Sequence, residues 1–184
     1  MERGLSTARE WWLLVGAPPE AESQIEGYDP KAHLQVAERF ASEQEALRTR
    51  RKPQGGHRGE LGARIAKAEA ILENEEAFND ALTRAQLDWR AIYALGRAGM
   101  SKLVEAIPTL HAAAELRRLR HATSQKAWEA SDLADIAALS GAIVYCDIVV
   151  TERQWAARLK QAKLDTANDT VVLADLTDLP QRLL

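Results

Sequence analysis

A mostly helical α/β protein is what this sequence predicts: a helical region followed by a carboxyl-terminal α-β-α-β unit with parallel strands. Three observations lead there. Alanine and leucine dominate while aromatics make up only 5% of the 184 residues, which favours helices. Apolar positions recur at three- and four-residue spacing from Leu34 to Leu119. Two β-branched runs, Asp147–Thr151 and Thr170–Ala174, then appear on either side of a helical stretch. The order helix, strand, helix, strand implies a parallel pair with a right-handed crossover.

Composition bounds the rest. The length suits one domain with a real core, and 46% hydrophobic with 28% charged residues excludes wholesale disorder. A net charge of −3 argues against coating nucleic acid by bulk charge, although local basic faces are allowed. One cysteine, Cys146, excludes an internal disulfide and points to a reducing compartment, with the thiol read as a small buried hydrophobe. Trp11–Val15 is too short to span a membrane and runs into Gly-Ala-Pro-Pro. The start has no basic region leading into an apolar signal core, so the expectation is a soluble, cytoplasmic protein with no membrane contact.

Taken in order, Thr7–Leu14 reads as a helix, stopped by turn chemistry at Gly16–Pro19 and Gly27–Pro30. Leu34, Ala37, Phe40, Ala41 and Leu47 mark the next helix, and residues 48–59 form a basic, flexible loop. Leu61, Ile65, Ala68 and Leu72 lie on one stripe of a helix from Glu60. Asn79-Asp80 is a candidate interruption before Leu82, Leu87, Ile92 and Leu95, and Gly96 and Gly99 end that segment. Pro108 suits the first turn of a helix running to about Thr123. Ser131 is a candidate N-cap, with Asp132 and Asp135 in the first turn of a helix ending near Gly141. A helix over about 153–164 joins the two strands, and a short one closes the chain from Leu176. The division expected is 1–104, helical, and 105–184, the α/β part.

Element lengths then bring acids together. At ~1.5 Å per helical residue and ~3.3 Å per strand residue, the helix from Asp132 and the strand after it are both about 16 Å long. Running antiparallel, the helix brings Asp132 and Asp135 to the carboxyl end of the strand, beside Thr151 and Glu152. Asp175 follows the carboxyl end of the second strand, and parallel sheets bind ligands at that edge. Asp147 begins its strand and belongs to the opposite edge. Converging carboxylates repel one another unless neutralised, and hard oxygen donors suit Mg²⁺ or Mn²⁺. Helix capping by Asp132 and Asp135 is the competing reading.

The stretch Ser131-Asp-Leu-Ala-Asp-Ile-Ala-Ala-Leu with Tyr145-Cys-Asp-Ile-Val-Val-Thr-Glu-Arg-Gln-Trp155 resembles the carboxyl half of PIN-like nuclease domains. The following helix, the strand Thr170–Ala174 and the closing Asp-Leu-Pro-Gln-Arg-Leu resemble the family's ending, so the likeness covers roughly residues 105–184. It implies an Mg²⁺- or Mn²⁺-dependent nuclease, usually acting on RNA. Asp132, Asp135 and Glu152 would be its metal-site acids, with Thr151 beside them in the catalytic centre. Glu152 stands where the family more often has Asp. The family also opens with a strand ending in Asp, and residues 1–30 contain none. The resemblance therefore implies an incomplete unit, with an upstream segment, a protein partner or a second copy completing the sheet.

Arg117, Arg120 and Arg153 are the candidate phosphate contacts, the first two on one helix face. The four histidines lack paired zinc spacing, and Gly55-Gly56 with Gly59 lacks the Gly-Lys-Ser/Thr of a phosphate loop. Trp89, Trp128 and Trp155 read as packing residues, whereas Trp11-Trp12 needs a surface to cover. The missing first acid and the long stretch 31–126 support a second class of function, a non-catalytic helical interaction or oligomerisation module.

Overall fold

The computed structural model describes residues 30–50, 58–72, 74–123 and 126–180. These residues are mostly helical, with one two-stranded parallel sheet near the carboxyl end. The expected helix at 7–14, the turns at 16–19 and 27–29, Trp11-Trp12, loop residues 51–57 and the end 181–184 lie outside the described residues.

Helix α1 (Pro30–Arg50) buries its middle, where Phe40 and Ala41 join the same cluster as Ile136 and Ile143; Leu34 is exposed, contrary to its predicted place on the stripe. Helix α2 (Arg58–Leu72) buries Ala66, Ala70 and Ile71, whereas Ala68 and Leu72, expected in the core, face solvent. Small side chains explain the rotation: Ala66 and Ala70 share a cluster with Ala114 of the partner helix, and alanines let two helices approach closely. The Asn74 side chain donates to the Ala70 carbonyl at 2.8 Å, so the chain breaks there; Asn79 and Asp80 sit inside α3 (Glu75–Arg84). Asp88 caps α4 (Trp89–Ala94), accepting from the amides of Arg90 and Ala91.

Gly96 opens α5 (Gly96–Ala106) rather than closing the segment, and its φ of +60° turns the chain between the two helices without a Cβ penalty. Gly99 lies inside α5, where a Cβ would come within 2.6 Å of the Leu95 Cβ. Helix α6 (Pro108–Ala122) starts on its proline as predicted. It serves two cores: Leu110 and Ala114 pack with α2 and Val104 of α5, while Ala112 and Leu116 pack with the carboxyl-terminal elements. The expected boundary between 104 and 105 thus falls within α5, between two members of one cluster.

Helix α7 (Ala130–Tyr145) is capped by Glu129, two residues earlier than the predicted Ser131, and continues past Gly141. Cys146 is exposed, not buried, because it follows the last turn; its amide closes that turn on Ala142 at 2.9 Å. Strands β1 (Ile148–Val150) and β2 (Val171–Leu173) pair in parallel, Val149 opposite Val172. Helix α8 (Arg153–Gln161) and the unpredicted short α9 (Leu164–Asn168) make the crossover. The Thr170 hydroxyl donates to the Ile143 carbonyl at 2.8 Å and ties β2 to α7. A 3₁₀ turn (Leu176–Asp178) follows. Among the described residues no helix is long and apolar enough to cross a membrane.

Candidate functional site at the carboxyl edge of the sheet

Helix α7 and strand β1 run antiparallel, so the first turn of α7 meets the start of α8. The contact is a hydrogen bond: Trp155 Nε1 donates to Asp135 Oδ2 at 2.8 Å. Trp155 itself is 1% exposed, and the Arg158 guanidinium lies over its ring, 4.5 Å from the centroid. Glu152 precedes α8, exposed, with its carboxylate accepting from Gln154 Nε2 at 3.0 Å. The Thr151 amide donates to the Leu173 carbonyl at 3.0 Å, extending the sheet by one bond. Asp175 caps the 3₁₀ turn through the Thr177 amide and hydroxyl. Those bonds hold its carboxyl below the usual carboxylate range, and the Arg153 charge adds to the effect.

Asp132 faces elsewhere. Arg120 Nε donates to its Oδ1 at 3.0 Å and Arg120 Nη2 to its Oδ2 at 2.8 Å, both side chains nearly solvent-free. Asp132 Oδ2 also accepts the Glu129 amide at 2.8 Å. Arg120 completes its bonding on the carbonyls of Lys126 and Ala127 and stacks on Trp128, 4.9 Å from the ring centroid. This is a buried clamp that binds the segment before α7 to α6. It occupies both oxygens of Asp132, and of the three expected acids Asp135 and Glu152 lie outside the clamp.

The predicted phosphate contacts change likewise. Arg117 is 2% exposed with its guanidinium over Phe40, and Arg120 is 1% exposed, because α6 is covered on both sides; neither faces solvent. Arg153 is exposed at the site's rim. Sequence reasoning missed Arg158, three residues after Trp155 on the buried face of α8. Its Nη1 is buried with no hydrogen-bond partner among the described residues. Burial, then the charge of Arg120, pulls its guanidinium below the ordinary range, against Asp132 and Asp135.

Burial raises the Asp135 carboxyl above its ordinary 3.8; the Trp155 N–H opposes this, while the charges of Glu152 and Asp132 add to it. A folded-state value above the unfolded one means the folded chain binds more protons just above pH 3.8, so this group costs stability as pH rises through its folded value. Asp135→Asn keeps an acceptor for Trp155 and removes the charge. The variant is expected to gain on the wild type as pH rises from about 4 to 7, read as the difference between their urea midpoints. A constant difference across that range would show that the carboxylate is not desolvated.

Among the described residues no group of three or more His, Cys, Asp or Glu is placed to hold a metal ion. Asp135 and Glu152 are near enough for the Glu152 charge to act on the Asp135 carboxyl. Comparison with protein-family models, curated proteins and solved structures returns no match.

Proposed function

We propose that the carboxyl-terminal unit is PIN-like and serves a divalent-metal-dependent nuclease acting on RNA, with Asp135 and Glu152 as its acids. Further acids would come from an upstream segment, a protein partner or a second copy that also extends the sheet. The observation that carries the reading is the Asp135 carboxylate, bonded to Trp155 beside Glu152 at the carboxyl edge of a parallel pair. Mg²⁺ or Mn²⁺ held by these two acids would supply a Lewis acid and an activated water. Trp155 fixes the orientation of Asp135, Thr151 fixes the backbone leading to Glu152, and Arg153 offers a rim cation to a phosphate. Arg117, Arg120 and Asp132 take no part.

The test is cleavage of RNA and single-stranded DNA with Mn²⁺, with Mg²⁺ and with chelator, in wild type, Asp135→Asn and Glu152→Gln. Each substitution is expected to lower metal-dependent cleavage by at least ~100-fold, since even residues behind a metal ligand cost up to about that much. Cleavage that survives both changes would sink the assignment.

One observation favours a second reading, a non-catalytic interaction module: a buried arginine neutralises the acid that the family pattern would offer to a metal. That reading expects no cleavage, no shift of Tm on adding Mg²⁺, and a defined complex or oligomer.

A further inference from the structure

A buried cation stands behind the Asp135–Trp155 hydrogen bond. Arg158 is 7% exposed, and its Nη1 finds no hydrogen-bond partner among the described residues. A guanidinium with so little water around it calls for a counter-charge. Two carboxylates act on it, those of Asp132 and Asp135. Both oxygens of Asp132 are taken by Arg120, and Oδ2 also holds the Glu129 amide. Asp135 is met one ring away. The Arg158 guanidinium lies 4.5 Å from the centroid of Trp155, whose N–H donates to Asp135 Oδ2 at 2.8 Å. Helix α8 builds this stack by itself, because residues three apart on a helix are neighbours. Helix α7 supplies the acceptor.

We infer that Arg158 is a positioning residue for Asp135 that acts through the Trp155 ring. A cation over an indole draws on its negative face, and the ring's one N–H becomes the better donor. Guanidinium, indole and carboxylate then stand in line as cation, dipole and anion. In that order each contact strengthens the next at low dielectric. A direct ion pair would clamp the carboxylate as Arg120 clamps Asp132, with both oxygens engaged. Charge relayed through the indole engages Oδ2 alone among the described residues, so Asp135 is oriented while Oδ1 is left for a ligand. The stack of Arg120 on Trp128 lacks this ending: Trp128 Nε1 is buried with no acceptor among the described residues. That Asp135 serves a metal rests on the nuclease reading; the link through the indole does not.

Two readouts on the full chain test the link without cleavage, so its failure and that of the nuclease reading are separate. The Trp155 indole Hε1 resonance is assigned by its loss in Trp155→Phe. It is expected to move upfield in Arg158→Met, which keeps cover over the ring but no charge. In Arg158→Lys, which restores the charge, it is expected to stay near its wild-type position. Urea unfolding gives the second readout. The effect of Arg158→Met on the folding constant is expected to change about 5-fold when Asp135→Asn is also present, the scale of a desolvated cation over a ring. Repeating that cycle on Trp155→Phe removes the N–H and leaves a ring, and the coupling is expected to fall to within ~2-fold, the limit of additivity. An unmoved resonance in Arg158→Met overturns the inference. So does coupling that survives in Trp155→Phe, which would show the charge acting on Asp135 directly through space. Where Arg158→Met does not fold, Arg158→Gln takes its place. An Arg158→Lys variant that shifts the resonance as the neutral variants do overturns the inference as well.

Discussion

Asp132→Ala is expected to destabilise the fold by about 3–5 kcal/mol, the range for breaking a buried ion pair by removing one partner. Arg120 is 1% exposed and has two of its bonds on Asp132, so the substitution strands a guanidinium that water cannot reach. The same carboxylate accepts the Glu129 amide, and loss of a helix cap adds about 0.5–2 kcal/mol. Asp132→Asn fares little better, because its amide hydrogens would face donors on Arg120 or Glu129. Replacing the pair together, Arg120→Met with Asp132→Leu, is expected to recover most of the loss, since no buried charge remains. Urea unfolding of wild type, Arg120→Met, Asp132→Leu and the double variant gives the cycle. A cost below about 1 kcal/mol for Asp132→Ala would mean that Arg120 finds another acceptor or reaches water. Lost activity in an Asp132 variant would report this clamp rather than catalysis, which is why Asp135 and Glu152 carry the nuclease test.

The parts of the fold that could be read from sequence are those set by local chemistry. Ile148–Val150 and Val171–Leu173 are β-branched or leucine throughout, which suits short strands, and the helix between them implies a parallel pair. Matching element lengths sufficed to bring Asp135 to the carboxyl edge, where Trp155 meets it. Burial of α6 was not legible. Arg117 and Arg120 sit three apart on a helix, and that spacing looks the same on a phosphate-binding face, a solvated face or a buried one. The deciding fact is that α6 lies between two cores, with Leu110 and Ala114 turned to one and Ala112 and Leu116 to the other. Alanine-rich helices blur the apolar stripe, which is also why Leu72 was assigned to the core and Ala70 was not. The partner of Asp132 was hidden for a similar reason: it lies twelve residues upstream across an irregular segment, and periodicity does not describe such a link.

Trp155→Ala is expected to cost about 3–5 kcal/mol, as for other large aromatic truncations in cores. The indole is 1% exposed and packs in the same cluster as Leu116, Ile136 and Leu159. Trp155→Phe separates the ring's two contributions. It keeps most of the apolar contact and a face for Arg158, but removes the N–H that Asp135 accepts. That N–H is what opposes the upward push of burial on the carboxyl, so the Phe variant should raise it further and lose stability with rising pH more steeply than wild type. Combining Trp155→Phe with Asp135→Asn closes a cycle whose coupling should be about 1 kcal/mol, the net worth of one hydrogen bond. Additivity of the two changes within about 0.3 kcal/mol would show that the indole contributes packing alone. Asp135 would then be free to turn away from the edge, and the orientation on which the two-acid site depends would have no support from α8.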